Sequence, residues 1–208
     1  MQVKWIGHSC FKVEKNGYSV IFDPYGDGTV PGLSPVKDQA HMVLCSHEHG
    51  DHNGRDCVSI LPEKDNPFTI TRIDGFHDDK KGMLRGKNVM TILDDGEERL
   101  AHLGDIGCDL NEDQEMQLKN LDVLLIPVGG FFTINAKKAA EIVKKLQPKK
   151  VVPMHFKGDK KKFGFKVIGK VDAFAKEFSD SVYLDSSLMD SEKDYGGRVI
   201  ILQPEMAR

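Results

Sequence analysis

Three histidines and one aspartate fall within six consecutive residues, His47-x-His49-x-Asp51-His52. Neutral imidazole ligates zinc and other late first-row ions, and carboxylate adds a harder, anionic oxygen. Neighbouring residues of a tight loop point in different directions, so donors this dense suit two adjacent ions better than one tetrahedral ion. Two ions about 3.5–4 Å apart can hold a bridging hydroxide and clamp the oxygen of a reacting ester or phosphate. The chemistry on offer is hydrolysis. A polar loop of merely hydrogen-bonding histidines is the plain alternative, and the density of the cluster around Gly50 argues against it.

A two-metal site needs further ligands, and the downstream candidates are few. They are His77 in Gly75-Phe76-His77-Asp78, Asp105 in His102-Leu103-Gly104-Asp105, and His155 in Pro153-Met154-His155-Phe156. Each lies at the end of an apolar run or just beyond one, where a sheet can hold a site rigid. Together with the cluster they supply enough donors for two ions and a carboxylate bridge. His8 lies in a loop between two strands, where it either lines the pocket and shuttles a proton or makes a structural hydrogen bond. It is expected to face the pocket without touching metal. Asp23 reads from the residues alone as a turn residue before Pro24. His102, three residues before Asp105 on an extended strand, points to the opposite face.

The elements that must carry these residues read as strands and loops in the first half. Residues 11–14 alternate, Asn16-Gly17 marks a two-residue hairpin turn, and residues 18–22 alternate again. Residues 42–45 form a short apolar run that leads into the histidine cluster. Further strands are expected at 68–73, 88–93 and 100–103. The second half alternates helix and strand. Asn111 and Asn135 are candidate caps, and Ala136, Ala139, Ala140, Val143 and Leu146 form an apolar stripe at helical spacing before Pro148. Strands follow at 123–128, 151–154, 181–184 and 198–202, with a helix near 171–178. No low-complexity linker or repeat interrupts this order, so a single domain over residues 1–208 is expected.

The net charge of −3 argues against a general nucleic-acid binder, and no apolar run reaches the length of a membrane span. Cys10, Cys45, Cys57 and Cys108 form no C-x-x-C pair, and the first residues lack the pattern of a signal peptide. A reducing cytoplasm is the expected home. Gly129-Gly130-Phe131-Phe132 is either a tight turn or an apolar wall against a ligand. The charge run at 157–162, with Lys160, Lys161 and Lys162, is either a solvated loop or a recruiter of an anionic substrate.

His47 to His52 is also the His-x-His-x-Asp-His signature of the metallo-beta-lactamase superfamily, which the chain resembles. Trp5-Ile6-Gly7-His8-Ser9-Cys10-Phe11, Ile21-Phe22-Asp23-Pro24, His102-Leu103-Gly104-Asp105 and Pro153-Met154-His155 are similar to the branch that includes L-ascorbate-6-phosphate lactonase. These blocks occur in the family's order. The resemblance implies an α/β fold, a four-layer αββα sandwich with metals at the edge between two sheets. It implies His47, His49 and His77 on one metal, Asp51, His52 and His155 on the other, Asp105 bridging, and Asp23 orienting a ligand imidazole through its other nitrogen. His77 departs most from the family pattern, arriving soon after His52.

The expected activity is hydrolysis of an ester-like bond (lactone, phosphate ester or amide) in a small, anionic substrate. Asp51, Asp105 and His8 are the candidate proton-handling residues. Two divalent transition-metal ions are the expected cofactors, zinc foremost, with manganese or iron able to take the same set. No general nucleic-acid binding and no membrane partner is expected; homo-oligomerisation stays open. The rival readings are a metallo-nuclease or phosphodiesterase, and a non-catalytic metal-bearing binding protein.

Overall fold

The computed structural model describes residues 1–158 and 162–205, so Asp159, Lys160 and Lys161 of the charge run lie outside the described residues. The first half supplies β1 (Gln2–Gly7), β2 (Cys10–Lys15), β3 (Tyr18–Phe22), β4 (Asp38–Ala40), β5 (Met42–Leu44) and β6 (Val58–Ile60), with a 3₁₀ turn over Arg55–Cys57. Then come β7 (Thr69–Phe76), β8 (Lys87–Asp94), β9 (Arg99–His102), α1 (Glu112–Gln117) and β10 (Val123–Pro127). α2 (Ala136–Leu146), β11 (Lys150–Met154), α3 (Asp172–Ala175), β12 (Ser181–Tyr183), β13 (Leu188–Asp190) and β14 (Val199–Ile201) complete the order.

One sheet has the order β13-β1-β2-β3-β5, and the other β12-β14-β11-β10-β9-β8-β7. The turn between β2 and β3 places both Asn16 (φ 53°) and Gly17 (φ 73°) in the left-handed region, as a two-residue hairpin matched to strand twist requires. β3 and β10 are buried along their whole length, as strands covered on both faces must be. The sheets meet face to face. Phe22 of β3 stacks on His102 of β9 with ring centroids 4.8 Å apart, and Phe11 of β2 meets the same imidazole edge-on at 6.1 Å.

Strand direction decides where the chemistry can gather. β1 and β3 are each antiparallel to β2, and β5 is parallel to β3, so β1, β3 and β5 all run the same way. In the other sheet β7 and β9 are each antiparallel to β8, while β10 and β11 run parallel to β9. His8, Asp23 and the cluster therefore follow the same edge of one sheet. His77, Asp105 and His155 follow the same edge of the other.

α2 is held by the Asn135 side chain, which accepts from the Lys138 N–H, and ends at Gln147 in the left-handed conformation before Pro148. Ala139, Ala140, Ile142, Val143 and Leu146 are its buried face. α1 has a full capping box between Asn111 and Gln114, and the Gln114 amide donates to the Asp74 carbonyl of β7. The strands β4, β6 and β13 were not legible beforehand, because three residues are too few to show an alternation. β7 runs on to Phe76, delivering the chain straight to His77. Among the described residues, no helix is long and apolar enough to cross a membrane.

Candidate metal centre

Two groups of donors meet at the shared sheet edge. The ligand atoms of His47, His49 and His77 all lie within 4.8 Å of one another, and so do those of His8, Asp51, His52 and His155. Asp105 stands between the groups. Its Oδ2 is 3.4 Å from His77 Nε2, 3.2 Å from His52 Nε2 and 3.0 Å from His155 Nε2. The seven residues expected as ligands are thus brought together, and His8 lies within ligand reach of the second group.

The imidazoles are aimed by buried partners. His52 Nδ1 lies 2.7 Å from Asp23 Oδ2, and a carboxylate only accepts, so Nδ1 carries a ring proton and Nε2 is turned inward toward Asp105. Ser46 donates its hydroxyl to the same Asp23 oxygen at 2.6 Å and its N–H to Oδ1 at 2.7 Å. Its Oγ is then free to accept from His47 Nδ1 at 2.9 Å, which leaves the His47 Nε2 bare. Neither Nε2 has a hydrogen-bond partner among the described residues, and neither does Asp105 Oδ1 or His155 Nδ1. Buried polar atoms without partners are costly, and their convergence here is what a cation would relieve.

Backbone geometry sets the remaining positions. His8 (φ 54°) and His155 (φ 53°) both adopt the left-handed conformation, and the His155 N–H donates to the His8 carbonyl at 3.3 Å. Such strain at two facing histidines is the kind concentrated at functional sites. The His8 carbonyl also accepts from Trp5 Nε1 at 2.9 Å. Gly129 lets the chain pass the His155 carbonyl, which a Cβ would approach to 2.1 Å. Asn88 holds the Asp105 segment: its Oδ1 accepts from the Asp105 N–H at 2.8 Å and its Nδ2 donates to the Leu103 carbonyl at 2.9 Å.

Burial sets the proton inventory. It lowers His47 to about 3, with the neighbouring His52 adding to the effect, and His8 to about 4, with His155 assisting. Both are therefore neutral and ready as ligands at physiological pH. Burial would lower His52 too, but the carboxylates of Asp105 and Asp23 outweigh it and hold that imidazole well above its usual range. Burial alone would raise Asp105; the histidines around it, His155 and His52 foremost, hold it well below the usual carboxylate range.

Other candidates separate cleanly. His102 is buried between the sheets, with Nε2 2.9 Å from the Ser9 carbonyl and Nδ1 accepting from the Gly104 N–H, away from the donor groups. Burial raises the Cys108 thiol, which leaves it a poor nucleophile. Phe132 lines the cleft over the site while Phe131 points to solvent, so the glycine-phenylalanine segment serves as both turn and wall. Lys157 lines a different cavity, beside Phe163 and Tyr183, and donates to the Lys166 carbonyl at 2.8 Å. Sequence reasoning passed over Ser46, Asn88, Thr29, Arg85 and Phe165. Of these, Asn88 carried a usable signal, a lone amide in an otherwise apolar strand.

Residues 2–155 match the family described as the beta-lactamase superfamily domain. The chain is 30% identical to a UPF0173 protein of Pyrococcus furiosus, over 75% of this chain and 83% of that one. It is 31% identical to a UPF0173 metal-dependent hydrolase of Pyrobaculum neutrophilum, over 75% and 84%. A solved structure from Thermotoga maritima, assigned as a zinc-dependent hydrolase of the metallo-beta-lactamase superfamily, superposes with a TM-score of 0.76 at 28% identity and covers 97% of each chain. The chain therefore belongs to the beta-lactamase superfamily and has the metallo-beta-lactamase fold of metal-dependent hydrolases.

Proposed function

We propose that this metal-dependent hydrolase cleaves an ester-like bond, in a lactone, phosphate ester or amide, of a small molecule, using two divalent transition-metal ions. The observation that carries this reading is the convergence of two donor groups on one Asp105 oxygen. His47, His49 and His77 would hold one ion, and Asp51, His52 and His155 the other, with His8 near enough to join and Asp105 shared. Zinc suits the imidazole-rich set best; manganese or iron could occupy it. Such ions supply Lewis acidity, polarising the scissile oxygen and letting water ionise near neutral pH.

The protein's own groups do the rest. Asp23 and Ser46 hold two imidazoles with their Nε2 atoms turned inward, so no reorganisation is needed when a ligand arrives. Asp51 is partly open to the cleft, and its Oδ2 is 3.4 Å from His8 Nε2. That pair can take and pass on a proton at the carboxylate oxygen. Phe132 and Phe165, 5.7 Å apart edge to face, shield the site from water on one side. The four free cysteines fit a reducing cytoplasm, which we propose as its location.

Elemental analysis of the purified protein tests the ion count, and two ions per chain are expected. One ion or fewer after reconstitution with zinc or manganese would refute the two-ion site. A panel of lactones and phosphodiesters tests the reaction; turnover that survives exhaustive chelation would refute the mechanism.

A further inference from the structure

The cleft above the donor groups has a volume of about 430 Å³, within the range of small-molecule sites. Most of its lining is explained by the metal centre and by the apolar pair Phe132 and Phe165. One residue is not. Arg85 is the only Lys or Arg among the lining residues, half-buried, with its guanidinium carbon 5.7 Å from the centre of the Phe132 ring. Among the described residues its guanidinium forms no ion pair and no hydrogen bond, which is unusual for a group with five donors.

The loop that presents Arg85 is built to hold it still. Directly after His77, the Asp78 side chain is buried and accepts four backbone N–H groups. Lys80 and Gly82 donate to Oδ1 at 2.8 and 3.0 Å, and Leu84 and Arg85 donate to Oδ2 at 3.0 and 2.8 Å. Gly82 (φ 80°) and Gly86 (φ 89°) supply the left-handed turns that close the loop, and the Gly86 N–H donates back to the Gly82 carbonyl at 2.9 Å. Met83 and Leu84 project into solvent, whereas Arg85 alone turns inward.

An unpaired guanidinium carried on a tied-down loop and flanked by an aromatic face presents a planar fork that matches carboxylate or phosphate oxygens two at a time. We propose that Arg85 is the anion anchor of this cleft, and that the natural substrate carries a carboxylate or phosphate on a flat or apolar body, at the end away from the bond that is cleaved. This rests on the hydrolase reading above and narrows its substrate class. It places substrate charge recognition on the loop after β7.

The test is a pair of thiols of equal size that differ in charge alone, meta-(mercaptomethyl)benzoate and its primary amide. The thiolate anchors both on zinc, so binding is read without turnover. Calorimetry on the zinc-loaded wild type should show the acid binding about tenfold or more tighter than the amide, the range of one charge-assisted fork. Arg85→Ala should bring the two within about twofold while leaving the amide's affinity unchanged. Arg85→Lys should keep part of the preference, and lose it in high salt as a point charge is screened. Equal affinities in the wild type, or a preference that survives in Arg85→Ala, would overturn the anchor alone. Binding of neither thiol would overturn the metal centre and the anchor together, whereas failure of the ester panel would strike only the proposed reaction.

Discussion

Asp23 Oδ2 lies 2.7 Å from His52 Nδ1, and neither side chain has any exposure to solvent. The contact keeps a proton on Nδ1 and fixes the orientation of the ring before any metal binds. It also joins the two sheet edges, since Asp23 follows β3 and His52 reaches across to Asp105 beyond β9. Replacing Asp23 by Ala should weaken the affinity for one ion by about tenfold to a hundredfold without removing any ligand. A competitive chelator titration measures this, and an unchanged affinity would remove Asp23 from the machinery of the site.

The histidines can be told apart by what each loses. His77→Ala should lose one ion and nearly all activity, because His77 is one of three donors in its group. His8→Ala should weaken the other ion by about tenfold to a hundredfold, whether His8 ligates it or steers Asp51. His102→Ala should keep both ions and reduce stability, since it empties a stacked position between Phe22 and the β9 backbone. The loss there should be on the order of 2–4 kcal/mol, as for other large core truncations. Metal content and urea melts of the three variants separate these outcomes. Two tightly held ions in His77→Ala would show that another residue completes the first group.

Much of this was legible because metal ligands obey local rules. The spacing from His47 to His52 needs no tertiary information, and His77, Asp105 and His155 each stand where an apolar run stops. The facing of His102 followed from strand alternation, whereas the orienting role of Asp23 came from the family resemblance and not from the turn at Pro24. What was not legible depends on contacts distant in sequence. Ser46 matters because Asp23 lies beside it, and Asn88 because β8 runs beside β9. The environment of His8 depends on its pairing with His155, 147 residues away and reached only once both sheets have formed. Arg85 carries no signal of its own in the sequence, because its place in the cleft depends on Asp78 gathering the loop around itself.

A different carboxylate carries the acid sensitivity of the first sheet. Asp38 Oδ1 is 2.8 Å from Lys12 Nζ and Oδ2 is 3.2 Å from Lys4 Nζ, tying β4 to β1 and β2. Burial would raise this carboxyl, but Lys12, the Gln39 N–H and Lys4 hold it below its ordinary 3.8. A depressed folded-state pKa means stability that is fully present above the unfolded value and lost as pH falls through the folded one. Asp38→Asn should therefore cost about 1–2 kcal/mol at neutral pH. The difference from wild type should shrink below pH of about 3.8 and close once the wild-type carboxyl is protonated. Urea melts across this range check it; a gap that is independent of pH would assign the loss to packing instead.

Gly104 supplies the most exacting test of how Asp105 is placed. Its φ of 56° is left-handed, and a Cβ there would approach Asn88 Oδ1 to 2.3 Å and Ser46 Cβ to 2.5 Å. Both neighbours serve the site, Asn88 through the Asp105 N–H and Ser46 through Asp23 and His47. Gly104→Ala therefore adds crowding to backbone strain, for a combined loss of about 2–5 kcal/mol. Gly96 is the matched control: its φ is 86°, with nothing within 4 Å of an added Cβ, so Gly96→Ala should cost only the strain, about 1 kcal/mol. Metal affinity separates the two further. Gly104→Ala should lose it, because relieving the clash must displace a side chain that holds Asp105 or His47, while Gly96→Ala should bind metal as the wild type does. Equal losses of stability and unaltered metal binding in both variants would mean that the segment before Asp105 has room to relax, and that the carboxylate is positioned by its contacts with His52, His77 and His155 alone.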